Sequence, residues 1–395
     1  MTFVLSAQNV FKYLIDNGLC TKEEQSTSQI ELKSANNFNL LISLPGGRQL
    51  LVKQERTNSQ GKRTGEFFKE WKIQTLLQLF PALSHFRPCL SEAIHFNAEH
   101  AIIVFNYFND YLDLEEFYFK ENIFPPEIAT KIGATLASIH RLTLDNQEYR
   151  EVLESGIGVS SNQALDIAQD LERLTPAIFD GFPVDALKFF VLYQRFDSLR
   201  QVLAQLKSVF TPCCLTHNDL KLNNILLSNS WKTEVAQKPP LANDSMIRLI
   251  DWEKSSWGDP AYDLGMLITS YLRIWLSSLI TSKTIAIEES LRLATTPLEF
   301  IQPSITALVQ AYFSSFPEIL EHRPDFLQQV LQFSGLAFIQ AIVGVLMHQK
   351  TFGNLSICML QIAKMLLCRP EESIKTVFGT TALELTHRQT IHLLK

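Results

Sequence analysis

The chain is predicted to be α+β, a small β-rich part followed by a large, mainly helical one. Two apolar runs, Phe38–Leu44 and Gln49–Gln54, flank the turn Leu44-Pro45-Gly46-Gly47-Arg48, whose glycines tolerate positive φ; this is a hairpin pattern. Beyond Tyr107 the spacing changes to threes and fours, as in Ile128, Ile132, Leu136 and Ile139, which is the period of a helix face. Within that later part only two strand-like pieces appear, Asn224–Leu227 and Met246–Ile250.

Taken in order, Ser6–Asn17 reads as a short helix with Ser6 as cap and Gly18 as its end. The hairpin follows, then a helix over Gly65–Phe80 that Pro81 terminates. Ala93–Phe96 and Ala101–Tyr107 are two more strands around Asn97-Ala98-Glu99-His100. Helical patterns then cover Glu127–Arg141, Ser161–Leu174, Val184–Val209, the stretch after Asp263 and most of Pro303–Leu367. Trp231–Ser245, with Pro239-Pro240 and few apolar residues, is a long surface connection between the two late strands. The boundary falls between residues 1–105 and 106–395.

With 395 residues, 46% hydrophobic and 19% charged, the composition is that of a soluble globular protein with a sizeable core. A formal net charge of −6 weighs against a nucleic-acid partner, which needs a basic footprint. The six cysteines (Cys20, Cys89, Cys213, Cys214, Cys358 and Cys368) form no Cys-x-x-Cys pair and read as scattered thiols of a reducing compartment. The N-terminus shows no secretory pattern. Phe333–Met347, broken by Gln340 and ended by His348, is shorter than a membrane span and reads as a buried core helix. The expectation is a cytoplasmic protein without membrane insertion; the oligomeric state is left open.

The chemistry concentrates in three segments. His217-x-Asp219 followed by Asn224 has the spacing His-x-Asp-x-x-x-x-Asn, which supplies a carboxylate to accept a hydroxyl proton and an oxygen ligand for magnesium. Alone, it also admits a second reading, as a polar turn before a strand. Arg248-Leu249-Ile250-Asp251 sets an acid directly after an apolar strand, suited to holding magnesium or simply to starting a turn. Asp219 and Asp251 flank one β-hairpin and can converge. Asp263, after Gly258-Asp259-Pro260, lies in a first helical turn where a carboxylate meets free backbone N–H groups.

These three motifs, in this order, resemble the aminoglycoside phosphotransferase and choline kinase-like family, relatives of the protein kinases. The resemblance runs from about residue 30 to about residue 275; the remainder is similar only in being helical. It implies a protein-kinase-like two-lobed fold with a nucleotide-binding lobe (1–105) and a helical lobe carrying the catalytic loop and substrate site (106–395). Asp219 would be the catalytic base, and Asn224 and Asp251 would hold Mg2+. His217 would pack the catalytic loop, Lys221 would neutralise the transferred phosphate, and Asp263 would tie the loop to the following helix. Lys53, in Leu50-Leu51-Val52-Lys53-Gln54, matches the lysine that grips the ATP phosphates, with Glu70 as its partner acid and Glu66 as the alternative. Two positions depart from the family: Asn218 stands where glycine is usual, and Ser34-Ala35-Asn36-Asn37 stands where a glycine-rich phosphate loop is expected.

The implied activity is ATP-dependent transfer of the γ-phosphate to a hydroxyl of a small molecule: an amino alcohol, a sugar or an aminoglycoside-like compound. A protein kinase is the alternative within the same fold, but no Asp-Phe-Gly or Ala-Pro-Glu is found downstream. A catalytically silent ATP-binding scaffold is the other, and it has no need of Lys53, Asp219, Asn224 and Asp251 together.

Overall fold

The computed structural model describes residues 3–33, 37–56, 63–156, 171, 182–236, 246–280, 285 and 287–386. Ser34-Ala35-Asn36, nearly all of the helix expected over Ser161–Leu174, and the Pro239-Pro240 part of the connection before Met246 lie outside the described residues. Ten strands form among the described residues: β1 (Gln29–Lys33), β2 (Phe38–Ser43), β3 (Gln49–Gln54), β4 (Ala93–Asn97), β5 (Ile102–Asn106), β6 (Tyr111–Asp113), β7 (Cys214–Thr216), β8 (Ile225–Ser228), β9 (Ile247–Leu249) and β10 (Ser256–Gly258). The chain is α+β, as expected, with a β-rich first part and a mainly helical second part. It divides into two compact units. The first comprises Met1–Asp113, Gln147–Gly158 and Asn224–Ser256; the second comprises Leu114–Asn146, Val159–Asn223 and Trp257–Lys395.

In the first unit, β1-β2-β3-β5-β4 form one antiparallel sheet. The expected hairpin is β2–β3, with Phe38 opposite Gln54 and Ser43 opposite Gln49, and Gly46 (φ 76°) and Gly47 (φ 82°) turn the chain. Alternation sorts the side chains. Leu40, Ile42, Leu50, Val52, Ile102 and Val104 bury one face against the helix Val10–Asp16, while Ile103 and Phe105 meet Phe67 on the other. The helix Val10–Asp16 starts later than expected, at Asn9 rather than Ser6, and ends in a Schellman arrangement. There the Gly18 N–H donates to Ile15 and the Leu19 N–H to Leu14.

The helix Glu66–Leu79 begins after Gly65 (φ 78°), and the buried Glu55 carboxylate accepts from the Thr64 N–H (2.5 Å) and the Gly65 N–H (2.8 Å). A second sheet, β6-β8-β9, carries the late strands. β1, β6, β7 and β10 escape sequence reading: β1 is an edge strand carrying Glu31 and Lys33, and the other three are only three residues long.

In the second unit, the helix Pro126–Thr143 packs on Leu298–Ser315, and Phe326–Gln349 packs between Pro260–Ser277 and Asn354–Cys368. Close approach is built in at Gly133, where a Cβ would overlap the Leu308 carbonyl, and at Gly265, where it would lie 2.8 Å from the Ser334 nitrogen and the Val330 oxygen. By length and composition Phe326–Gln349 is apolar enough to cross a membrane. Most of it is buried against neighbouring helices, including Val330, Phe333, Phe338 and Ile342, as expected of a core helix.

The single helix expected over Val184–Val209 is instead two, Ala186–Gln194 and Asp197–Val209. Phe196 leaves helical geometry (φ −113°, ψ 85°), and Asp197 opens a new first turn, where a carboxylate favours a start. Similarly, Trp231–Ala236, expected to be irregular, forms a short helix.

Candidate active site

In the first unit Lys53 lies on β3 between β2 and β5, facing Phe105, with its ammonium 5.2 Å from that ring's centre. Its Nζ pairs directly with the Asp251 carboxylate. Burial works against the ammonium, but Asp251 and then Glu70 more than offset this, so the Lys53 pKa lies above the ordinary lysine value.

Glu70, on the helix Glu66–Leu79, is 1% exposed and receives a 3.4 Å hydrogen bond from the Ser91 hydroxyl. Burial raises its pKa to about 8, with Lys53 pulling down and Asp251 and Glu253 pushing up. The fold thus brings Lys53, Glu70 and Asp251 together, with Asp251 making the direct contact. Glu66 lies one turn earlier and half-buried; burial and the Glu55 charge raise its pKa, while Lys254 and Lys69 oppose them.

Asp251 is delivered by the β8–β9 ladder. Ile225 stands opposite Leu249, and the Ile250 N–H donates to the Asn224 carbonyl (3.0 Å), which sets Asn224 and Asp251 at the same end of the two strands. Asn224 itself sits in a single 3-10 turn, Leu222–Asn224, rather than in the strand. Asp251 adopts a left-handed conformation (φ 61°, ψ 54°), which Asp tolerates better than most residues. Trp252 follows, 1% exposed, with its indole N–H donating to the Leu249 carbonyl (3.1 Å). Beside it, burial and the Asp251 charge raise Glu253 to about 7.

Among the described residues no group of three or more His, Cys, Asp or Glu side chains is arranged to hold a metal. Magnesium bound through nucleotide phosphates needs only one or two hard oxygen ligands from the protein. The Asn224 amide oxygen and the partly exposed Asp251 carboxylate are of that kind.

In the second unit, β7 pairs with β10 and feeds the segment His217-Asn218-Asp219. The helix Pro126–Thr143 anchors this strand: Thr143 Oγ1 accepts from the Leu215 N–H (3.0 Å), and the Asp145 N–H donates to Cys213 (2.7 Å). Asp263, fully buried in the first turn of Pro260–Ser277, grips the loop. Its Oδ2 accepts from the His217 N–H (2.7 Å) and its Oδ1 from the Asn218 N–H (2.8 Å). Asn218 takes φ 61°, the conformation in which asparagine substitutes for glycine.

His217 is fully buried, and its Nδ1 accepts the Asp219 N–H (3.3 Å), so this nitrogen carries no proton in that contact. Asp219 is thereby held at the end of a tied loop, with its carboxylate 3.0 Å from the Lys221 ammonium.

Sequence reasoning missed the supports beneath Asp263. His140, fully buried, approaches Asp263 Oδ2 (3.4 Å) through Nε2 and the Tyr312 hydroxyl (2.9 Å) through Nδ1. Asp259 caps the helix through the Ala261 N–H (2.9 Å) and takes both Arg323 guanidinium nitrogens (2.8 and 3.0 Å). The signal for His140 was a polar residue next to Ile139 on an apolar helical pattern; nothing local marks Arg323 as the counterpart of Asp259.

Residues 107–275 match the choline/ethanolamine kinase family model. Among solved structures, the chain is similar to the choline kinase LicA from Streptococcus pneumoniae, at 16% identity over 91% of this chain and 98% of that one (TM-score 0.44). It is also similar to a choline/ethanolamine kinase family protein from Mesorhizobium loti, at 15% identity over 94% and 99% (TM-score 0.48). A third is the macrolide 2'-phosphotransferase MphH from Brachybacterium faecium, at 12% identity over 92% and 99% (TM-score 0.45). No curated protein sequence matches the chain. The family resemblance carried by His217–Asn224, Asp251 and Asp263 is thus borne out over residues 107–275, which are similar in sequence to the choline/ethanolamine kinases.

Proposed function

We propose that the protein is an ATP- and magnesium-dependent phosphotransferase that moves the γ-phosphate to a hydroxyl of a small molecule. The observation that carries this reading is the pairing of the buried Lys53 with the partly exposed Asp251, with Glu70 behind it and Asn224 at the neighbouring strand end. A buried cation held ready by acids is what a polyphosphate requires: on binding, phosphate oxygens take over the ammonium.

Asn224 and Asp251 would hold magnesium, which when bound neutralises charge on the β- and γ-phosphates. Asp219 accepts the proton of the acceptor hydroxyl as its oxygen bonds to the γ-phosphorus. The bond from phosphorus to the bridging oxygen breaks, and ADP leaves. Lys221, beside Asp219, offsets charge on the transferring group, and His217 holds the loop rather than carrying the proton. The acceptor is an amino alcohol, a sugar or an aminoglycoside-like compound, and the family matched by residues 107–275 favours an amino alcohol. A cytoplasmic location, expected from the sequence, supplies the ATP.

Thermal denaturation with and without Mg-ATP tests the nucleotide half. At about a hundredfold excess over Kd, a ligand of the folded state adds about 2.7 kcal/mol, so a clear rise in Tm is expected. Lys53→Met removes the phosphate-binding cation and should abolish the rise. Equal Tm with and without millimolar Mg-ATP in the wild-type protein contradicts the reading.

A further inference from the structure

Lys53 is flanked across the sheet by a polar residue that the apolar pattern does not explain. Asn39 on β2 stands directly opposite Lys53 on β3, and Lys33 on β1 stands directly opposite Asn39. Directly opposed residues of an antiparallel ladder share a face, so Lys33, Asn39 and Lys53 form a row across three strands. The next position of β2 on that face, Leu41, is apolar and buried. Asn39 is only 8% exposed, and its Oδ1 is buried without a hydrogen-bond partner. An amide oxygen left unpaired in a sheet interior is unfavourable, and an apolar residue of similar shape would avoid it. The donor set directly opposite it on the ladder is Lys53, and a ligand that draws the Lys53 ammonium off Asp251 would let it pair with this oxygen.

The chemistry of that ligand follows from the neighbours. Lys53 is an ammonium with three donors, one of which Asp251 engages. No run of glycines precedes β2 to wrap phosphates with backbone N–H groups. A side-chain amide replaces that function, since its NH2 donates and its oxygen accepts. Resting on the phosphotransferase reading, we propose that Asn39 is a polyphosphate-binding residue of the nucleotide site. Its NH2 donates to a phosphate oxygen of a nucleoside triphosphate while its Oδ1 accepts from the Lys53 ammonium. Lys33, more exposed and 2.7 Å from Glu31, adds a weaker, salt-screened attraction at the outer end of the row.

Titration calorimetry of the full chain with Mg-ATP, Mg-ADP and adenosine tests this on wild type, Asn39→Leu and Asn39→Asp. Asn39→Leu removes the unpaired atom, so its Tm should match or exceed wild type, while Mg-ATP binds about tenfold more weakly. Adenosine should bind both proteins alike. Asn39→Asp keeps the size but sets a carboxylate against the phosphates, and Mg-ATP should weaken by more than tenfold. Unchanged Mg-ATP affinity in either variant overturns the proposal, as do equal losses for Mg-ATP and adenosine. Wild type that binds no Mg-ATP overturns the phosphotransferase reading and this proposal with it; wild type and Asn39→Leu binding Mg-ATP alike overturns this proposal alone.

Discussion

Asp219→Asn should lower kcat by about a thousandfold, within the range that general-base groups contribute, while leaving the Kd for Mg-ATP within about twofold of wild type. The separation is expected because Asp219 and the proposed nucleotide-binding groups Lys53, Glu70 and Asp251 are set by different elements. Asp219 ends a loop tied to Asp263, whereas the others sit on β3, the helix Glu66–Leu79 and the end of β9. The substitution is nearly isosteric. It gives up the ionic part of the 3.0 Å contact with the partly exposed Lys221, a pair of small expected worth. Steady-state kinetics and calorimetry on the same preparation check both halves. Wild-type turnover in the variant would remove Asp219 from the role of base.

Asp263→Ala should be strongly destabilising. It strips the acceptor from the buried N–H groups of His217 and Asn218 and removes the carboxylate that His140 approaches. A buried donor left unsatisfied costs about 1–3 kcal/mol, so the two amides together give roughly 3–5 kcal/mol. Urea denaturation reads this directly. The variant should also lose kcat, because the turn through Asn218 that presents Asp219 is held by the same two bonds, while adenosine affinity stays near wild type. Loss of stability below about 1 kcal/mol would mean that other groups hold the loop.

Much of this architecture is legible without coordinates, and the reason is local. The β2–β3 hairpin announces itself through alternation and two glycines, and the helix Glu66–Leu79 through Gly65 and Pro81. Asp251 and Asp263 were identifiable because each directly adjoins an apolar element, the first after a strand and the second at a helix start.

What sequence could not supply is long-range partnership. Lys53 pairs with Asp251 from a distant strand, and Glu70 from the adjacent helix acts as a buried charge behind it. Asp259 meets Arg323, and Asp263 meets His140; each pair is set by packing of separate helices and has no spacing signature. The break at Phe196 was also invisible, because apolar periodicity runs on either side of it. Asn39 was passed over for the opposite reason: its meaning lies only in its register against Lys53.

The most direct test of the account follows the γ-phosphate itself. Purified protein incubated with Mg2+, γ-labelled ATP and a panel of amino alcohols, sugars and aminoglycosides should move label onto a hydroxyl of at least one acceptor, releasing one ADP per phosphorylated product. Protein that binds Mg-ATP yet transfers no label to any acceptor, with ADP release unaffected by their presence, would contradict the assignment of phosphotransferase chemistry to Asp219, Asn224 and Asp251.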